Sequence, residues 1–128
     1  MKTLFSLLAG AGVMGVLDGI WLKGPGGALY KNSLKLQLRL EHPVWIAAIL
    51  VYLLLLVGLF VLVVPRAAGS LGWAAGFGAL FGLVVYGVYD FTNLALVVGW
   101  TTKVALVDVA WGTFLCASTA VAMTAAGR

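Results

Sequence analysis

Residues 44–64 read VWIAAILVYLLLLVGLFVLVV and contain no charged side chain. About twenty apolar residues in a helix are what the roughly 30 Å hydrocarbon core of a bilayer requires. Pro65 and Arg66 follow at once, and this pair predicts a sharp end to the helix at the membrane interface. The stretch therefore predicts a transmembrane helix and not the core element of a soluble domain.

The composition places the whole chain in the membrane class. Of its 128 residues, 63% are apolar and 9% are charged, and the mean hydropathy is +1.12. A soluble domain keeps roughly a quarter of its residues charged. A chain this short could not hide so much apolar surface in one core. The sequence therefore predicts a single membrane domain over residues 1–128.

Three further apolar runs, one before residues 44–64 and two after them, predict an all-α, four-helix transmembrane bundle. The run that begins near the first residue could resemble a signal peptide. Its apolar part is too long for a signal core and it carries Asp18, so we expect it to be retained as a helix. The predicted helices span about 3–22, 44–64, 69–91 and 102–125.

The longest connection runs from Gly24 to Pro43, where a Gly-Pro-Gly-Gly break precedes LYKNSLKLQLRLEHP. Lys31, Lys35 and Arg39 recur at steps of four, which is typical of a basic amphipathic helix on a membrane surface. Residues 33–40 also alternate between apolar and polar, which is the period of a strand. A lone strand would have no partner for its backbone groups. We therefore predict an amphipathic interfacial helix over about 28–41.

Small residues at steps of four predict close packing between helices, because they let a neighbouring backbone approach. We expect Gly15, Gly76 and Gly82 to lie in helix contacts. In the predicted helix over 3–22 these small residues are Ala11, Gly15 and Gly19, and in the predicted helix over 69–91 they are Gly72, Gly76, Gly78 and Gly82.

Three aspartates lie near helix ends that share one side of the membrane. In four antiparallel spans, the end of the first, the end of the third and the start of the fourth all reach the same face. Asp18, Asp90 and Asp108 occupy these three positions. A carboxylate in hydrocarbon costs several kcal/mol, so such residues usually face the bundle interior or a water-filled cavity. The polar chemistry is therefore expected on one face.

Aromatic and amide side chains accompany the aspartates. LDGIW at 17–21 and VDVAW at 107–111 each place a tryptophan three residues after an aspartate, on one helix face. In YGVYDFTN at 86–93, Tyr86, Asp90 and Asn93 share a face, and Tyr89 with Asn93 is a second pair. The candidate ligand-binding residues are Asp18, Trp21, Tyr86, Tyr89, Asp90, Asn93, Asp108 and Trp111.

Two interpretations of the aspartates remain open. In the structural interpretation, Asp18 and Asp108 pair with Lys23, Lys103 or Arg39 and lock the helix ends together. In the functional interpretation, the aspartates line a shared polar pocket that binds a cation, a proton or a polar head group.

Several other site classes are not supported. The sequence has one histidine, His42, and no HxxxH or CxxC spacing, so we predict no metal site and no cofactor. No nucleophile motif, phosphate loop or dinucleotide fingerprint is present. The net charge of +4 comes from basic residues that flank apolar spans, where anionic lipid is the natural counterion. We therefore expect no nucleic-acid partner.

The motifs LDGIWL, YDFTNLA and VDVAWG, in this order, resemble those of predicted four-helix bacterial membrane proteins grouped as a domain of unknown function. The similarity spans the chain and includes Tyr30 in the first loop and Pro65 after the second helix. It implies a bacterial inner-membrane location and brings no established activity. At 97–99, Val-Val-Gly stands where a basic residue is more usual, which weakens a role for charge there. The matching positions are Asp18, Trp21, Tyr89, Asp90, Thr92, Asn93, Asp108, Trp111 and Gly112.

These patterns favour a small multi-pass protein that binds a membrane lipid or another amphipathic ligand, with the head group at the aspartates and the tail between glycine-lined helices. One alternative is a lipid-modifying enzyme that uses the same carboxylates as general acid or base. The others are a small proton-coupled transporter that acts as a dimer and a non-catalytic subunit of a larger membrane complex. The sequence names no reaction, so enzymatic activity stays open.

The topology follows from the four spans. We expect both ends of the chain on one side and the loops after Lys23 and after Trp100 on the other. The positive-inside rule leans toward a cytoplasmic aspartate face, although Lys2 pulls the other way. Lysine and arginine number five on the aspartate face (23, 31, 35, 39, 103) and three on the opposite face (2, 66, 128).

Overall fold

The architecture is known from a computed structural model, which describes residues 1–34 and 43–128. Regular structure over these residues is helical throughout, and four of the helices are long and apolar enough to cross a membrane. The predicted all-α bundle with four spans is therefore confirmed. The helices are α1 (Lys2–Lys23), α2 (Pro25–Ser33), α3 (Trp45–Ala67), α4 (Leu71–Leu96) and α5 (Thr102–Ala126).

The second span does not stop at Pro65. After the α-helical part Trp45–Gly58, the chain forms a π-helical segment, Leu59–Val63, and then a last α-helical turn, Val64–Ala67. Pro65 lies at the start of that turn, where the missing N–H and the fixed φ of proline are tolerated. The helix ends instead where Ala68 takes a left-handed φ of 50°.

Side-chain caps begin the third and fourth spans. The Ser70 hydroxyl accepts a hydrogen bond of 3.2 Å from the Trp73 N–H, and the Thr101 hydroxyl accepts one of 3.1 Å from the Val104 N–H. Each cap satisfies a backbone donor that has no partner within its helix. The third span continues beyond its predicted end at residue 91 to Leu96, so Asn93 is helical.

The Gly-Pro-Gly-Gly sequence begins a helix as well as breaking one. Pro25 is the first residue of α2, and the two glycines after it are buried against the end of α1. An added Cβ at Gly26 would overlap the Trp21 indole, and one at Gly27 would overlap the Leu22 carbonyl. The interfacial helix therefore starts before residue 28 and is described as far as Ser33. The remainder of the predicted segment, with its strand-like alternation, falls on 35–42, outside the described residues.

Helix α5 is the centre of the bundle. It is the most buried of the four spans, and it packs along α4 most extensively and along α1 next. The backbones of α4 and α5 meet at Gly78 and Gly82: an added Cβ would lie 2.7 Å from the Ala120 Cβ at the first and would overlap the Gly112 carbonyl at the second. Close approach of this kind requires glycine.

The expected glycine contacts are found at only one of three positions. Gly82 packs as predicted, but the prediction for Gly15 and Gly76 is wrong, because an added Cβ at either position has no neighbour within 4 Å in the part of the chain that the structure describes. The close approach in α1 lies at Gly10, which is buried against the Met123 side chain. Spacing of small residues therefore did not identify the packed face.

The two ends of the bundle differ. At one end, the Ser6 hydroxyl donates to the Met123 carbonyl at 2.8 Å, and the Arg128 Nε–H donates to the Gly69 carbonyl at 3.1 Å. Both chain ends and the α3–α4 turn thus lie together. We call the opposite end the aspartate end; it contains helix α2, the α4–α5 connection, and Asp18, Asp90 and Asp108.

Candidate functional site

A partly open cavity of about 230 Å³ lies at the aspartate end, among α1, α2, α4 and α5. Helices α1 and α4 both pack on α5 but make little contact with each other, which leaves room between them. The cavity has room for several water molecules. Its lining residues are Asp18, Trp21, Leu22, Tyr30, Leu34, Tyr86, Tyr89, Trp100, Asp108 and Trp111.

Two carboxylates enter this cavity from antiparallel helices. Asp18 precedes the last residue of α1, Lys23, by five positions, and Asp108 follows the first residue of α5, Thr102, by six. At 1.5 Å per residue these positions are about 8 and 9 Å inside the helix ends. Both carboxylates are half-buried, and they stand at similar depth.

Both oxygens of Asp18 are occupied. Its Oδ1 accepts a hydrogen bond of 3.0 Å from the indole N–H of Trp111, which lies on α5. Its Oδ2 accepts a hydrogen bond from the hydroxyl of Tyr52, which lies on α3. Asp18 therefore ties three of the four spans together at the aspartate end.

Asp108 has one occupied oxygen. Its Oδ1 accepts a hydrogen bond from the Tyr30 hydroxyl, and the Tyr30 oxygen accepts one of 3.0 Å from the Trp21 indole N–H. Burial, and then the hydrogen bond to Asp108, raise the pKa of Tyr30 well above its ordinary value. Tyr30 is therefore a donor at any physiological pH, and it fastens α2 to α5.

Each of the two tryptophans is hydrogen-bonded, directly or through Tyr30, to the aspartate of the other helix. The rings of Trp21 and Trp111 stack with centroids 4.6 Å apart and planes inclined by 6°. Trp111 shares a helix with Asp108 but donates to Asp18, whereas Trp21 shares a helix with Asp18 but reaches Asp108 through Tyr30. The three-residue spacing thus produces a crossed arrangement between helices.

The hydrogen-bond donors to Asp18 and Asp108 in residues 1–34 and 43–128 are all aromatic side chains. The structural interpretation names Lys23 and Lys103 as partners, and neither is among these donors; Arg39 lies outside the described residues. Indole and phenol groups are neutral, so they satisfy hydrogen-bonding capacity without cancelling charge. These donors therefore add no positive charge beside the two carboxyl groups.

Asp90 lies apart from the cavity wall. Its side chain is fully buried, and neither oxygen has a hydrogen-bond partner among the described residues. Asp108 and the Trp100 indole are its polar neighbours, and the Trp100 Nε1 is itself buried without a partner in the same part of the chain. A buried carboxyl group without a partner is costly, so Asp90 is the least satisfied polar side chain of α4.

Aromatic residues of α4 form another wall of the cavity. An added Cβ at Gly112 would overlap the Tyr86 ring, so that glycine makes room for the ring. Tyr89 meets Trp100 edge to face, with centroids 5.8 Å apart and planes at 86°. Asn93, like Asp90, is not part of the lining. Six of the eight predicted candidates line the cavity: Asp18, Trp21, Tyr86, Tyr89, Asp108 and Trp111.

Three site residues escaped the reasoning from residue patterns. Tyr30 was singled out only by the family resemblance, and Trp100 was noted without a place in the candidate set. Tyr52 lies within the charge-free run at 44–64. Its hydroxyl could have indicated a site residue, because a tyrosine hydroxyl away from water usually finds a hydrogen-bond partner. The chemistry of the lining is acidic and aromatic. Among residues 1–34 and 43–128, no group of three or more histidine, cysteine or acidic side chains could hold a metal ion.

Comparison with known proteins gives one match. The family model described as Predicted membrane protein (DUF2177) matches residues 3–125. The comparisons with curated proteins and with solved structures found no match.

Proposed function

The chain belongs to the DUF2177 family of predicted membrane proteins, and we propose that it binds a membrane lipid, with the head group in the cavity at the aspartate end. The observation that carries the proposal is this cavity, in which two carboxylates and several aromatic rings are gathered within a bundle whose outer surfaces are apolar. We further infer a bacterial inner membrane, because LDGIWL, YDFTNLA and VDVAWG resemble motifs of bacterial membrane proteins.

The size of the cavity supports a head group and not a whole lipid. Pockets that enclose a drug-sized ligand measure roughly 300–1,000 Å³, and this one measures about 230 Å³. A ligand that fills it therefore keeps its apolar part outside. Large apolar residues such as Val88, Leu96 and Leu106 are exposed on α4 and α5, and hydrocarbon chains can lie against such surfaces.

Binding explains the site better than proton-coupled transport does. Binding needs access from the aspartate end alone, whereas transport also needs a second state that opens the opposite end, which the Ser6–Met123 hydrogen bond and a packed core that includes Met14 and Leu115 close in this structure. A lipid-modifying enzyme would use the same cavity. The Tyr30–Asp108 pair, a phenol hydrogen-bonded to a carboxylate inside the cavity, is the observation that favours this second candidate.

Native mass spectrometry of the protein purified in mild detergent tests the proposal. We expect a lipid to remain bound to the wild type and to the Trp73→Leu variant, since Trp73 is exposed at the far end of the bundle. Trp21→Leu removes part of the cavity wall and should lose the lipid. Equal retention by both variants, or no lipid on the wild type, would contradict the proposal. A change in lipid mass on incubation would favour the enzyme.

A further inference from the structure

The charge of the cavity wall indicates the kind of head group that it accepts. Asp18 and Asp108 contribute negative charge, and the ten described lining residues include no lysine, arginine or histidine. The described basic residues of this end, Lys23, Lys31 and Lys103, are exposed and do not line the cavity. A nearby positive charge stabilises a carboxylate that is partly removed from water. The wall therefore favours a cationic occupant.

The aromatic lining points the same way. Six of the lining residues carry indole or phenol rings, and the faces of such rings attract ammonium groups. Trp21 and Trp111 stack on each other, and the edge-to-face contact turns Tyr89 and Trp100 at nearly right angles to each other. Rings that present differently oriented walls beside a carboxylate are typical of ammonium-binding sites.

One carboxylate oxygen is available to such a group. Asp18 has a donor on each oxygen, whereas Asp108 accepts the Tyr30 hydroxyl on Oδ1 only. The Oδ2 of Asp108 has no donor among the described residues and is not one of the buried unpaired atoms. Asp90 is a close neighbour of Asp108, but it is fully buried and does not line the cavity. An ammonium N–H donor fits this position.

We propose that the cavity recognises an organic ammonium group, carried by a lipid such as phosphatidylethanolamine, through Asp108 and the surrounding aromatic rings. This inference rests on the proposed function for the lipid part of the ligand, and it adds the class of head group. The phosphate of such a lipid carries the opposite charge, and the exposed Lys23, Lys31 and Lys103 lie at the same end of the bundle.

Two matched probes test the inference. Dihexanoyl phosphatidylethanolamine and dihexanoyl phosphatidylglycerol have the same chains and phosphate, and only the first carries an ammonium group. Titration of the delipidated protein in detergent, followed by its intrinsic tryptophan fluorescence, to which Trp21, Trp100 and Trp111 of the cavity wall contribute, gives the dissociation constant of each probe. We expect at least tenfold tighter binding of phosphatidylethanolamine. Equal or tighter binding of phosphatidylglycerol would overturn the ammonium inference and leave lipid binding standing.

A third probe, free ethanolamine, separates a lipid from a soluble amine. If ethanolamine alone binds as tightly as phosphatidylethanolamine, recognition of the ammonium group is upheld and the lipid proposal fails. If ethanolamine binds far more weakly, both are upheld. If none of the three probes binds, the ammonium inference is overturned, and lipid binding is then decided by native mass spectrometry alone.

Variants place the selectivity on named residues. Asp108→Asn should reduce the preference for phosphatidylethanolamine to about one, with the thermal midpoint as a check of folding. Tyr89 is 55% exposed, so Tyr89→Leu should fold normally and lower affinity for the ammonium lipid about two- to fivefold, the loss expected for one exposed cation–π contact. Trp73→Leu is the control. Unchanged preference in both Asp108→Asn and Tyr89→Leu would overturn the assignment.

Discussion

Asp18 and Asp90 are chemically identical side chains that differ in their hydrogen bonding. Asp18 accepts a hydrogen bond on each oxygen from a different helix, whereas Asp90 is fully buried with no partner among the described residues. A buried acceptor with good donors stabilises the fold, and one without a donor costs desolvation free energy. The same substitution at the two positions is therefore expected to have opposite effects.

Asparagine variants measure this difference. Asp18→Asn loses one acceptor and leaves Tyr52 or Trp111 without a full partner, so we expect a loss of about 1–3 kcal/mol in the free energy of unfolding. Asp90→Asn removes only an unpaired carboxyl group and should leave the thermal midpoint unchanged or raised. Thermal unfolding in one detergent, with both variants side by side, is the measurement. A lower midpoint for Asp90→Asn than for Asp18→Asn would contradict the assignment.

Tyr30 gives a prediction about pH. Its pKa is raised in the folded protein by burial and by the hydrogen bond to Asp108, so the folded state holds the phenolic proton more tightly than the unfolded state does. The stabilisation is fully present below about pH 10, the pKa of an unfolded tyrosine, and is lost as pH rises above it. The thermal midpoint should therefore fall less steeply above pH 10 in Tyr30→Phe than in the wild type. Parallel curves would count against this role.

Residue patterns predicted the aspartate chemistry but not its partners. Alternation of spans was enough to bring Asp18 and Asp108 to one end, because that follows from helix order alone. The lysines named in the structural interpretation do not donate to Asp18 or Asp108 among the described residues, since hydrogen bonding depends on how each helix is rotated. Tyr52 was missed for the same reason: no periodicity in a uniformly apolar run shows which face turns inward.

At the scale of elements, the glycines of α4 show what spacing can and cannot predict. Two pairs at steps of four were visible, but only Gly78 and Gly82 meet a neighbouring backbone. Gly76 belongs to the exposed side of the same helix. A helix surrounded by lipid can be apolar on every face, so the pattern lacks the polar stripe that would identify the outer side.

Leucine substitutions test this assignment within a single helix. An added Cβ at Gly82 would overlap the Gly112 carbonyl, so Gly82→Leu should separate α4 from α5 and abolish the folded state. Gly76→Leu adds the same side chain where an added Cβ has no described neighbour within 4 Å, and it should leave the thermal midpoint within a few degrees of the wild type. Similar midpoints for the two variants would show that the α4–α5 contact is misplaced.

At the scale of the whole molecule, hydropathy was sufficient for the fold class. Four runs of about twenty apolar residues in 128 leave little choice but an antiparallel bundle. Hydropathy could not predict that the four helices differ in how deeply they are buried in the bundle. Helix α5 is central because Gly112, Cys116 and Ala120 present a narrow surface to α4, and α3 joins the others mainly through its π segment and the turn after it.

Cysteine labelling tests the arrangement of the spans. In a Cys116→Ala background, Asn32→Cys and Val98→Cys should react with a membrane-impermeant maleimide from one side, and Thr3→Cys from the other. All three positions are exposed. The positive-inside rule leans toward a cytoplasmic side for the first two. Reaction of Asn32→Cys and Val98→Cys from opposite sides would be incompatible with four antiparallel spans.

The exchange of tryptophans between the aspartates has a consequence for synthesis of the chain. Asp18 and its indole donor are 93 residues apart, so at about 5–20 residues per second Trp111 is made roughly 5–20 s after Asp18. Tyr52, only 34 residues after Asp18, is the earlier donor. During that interval Tyr52 is the only one of these two donors that can hydrogen-bond to the Asp18 carboxylate. If translation stops before residue 111, the hydrogen bond from Trp111 to Asp18 cannot form.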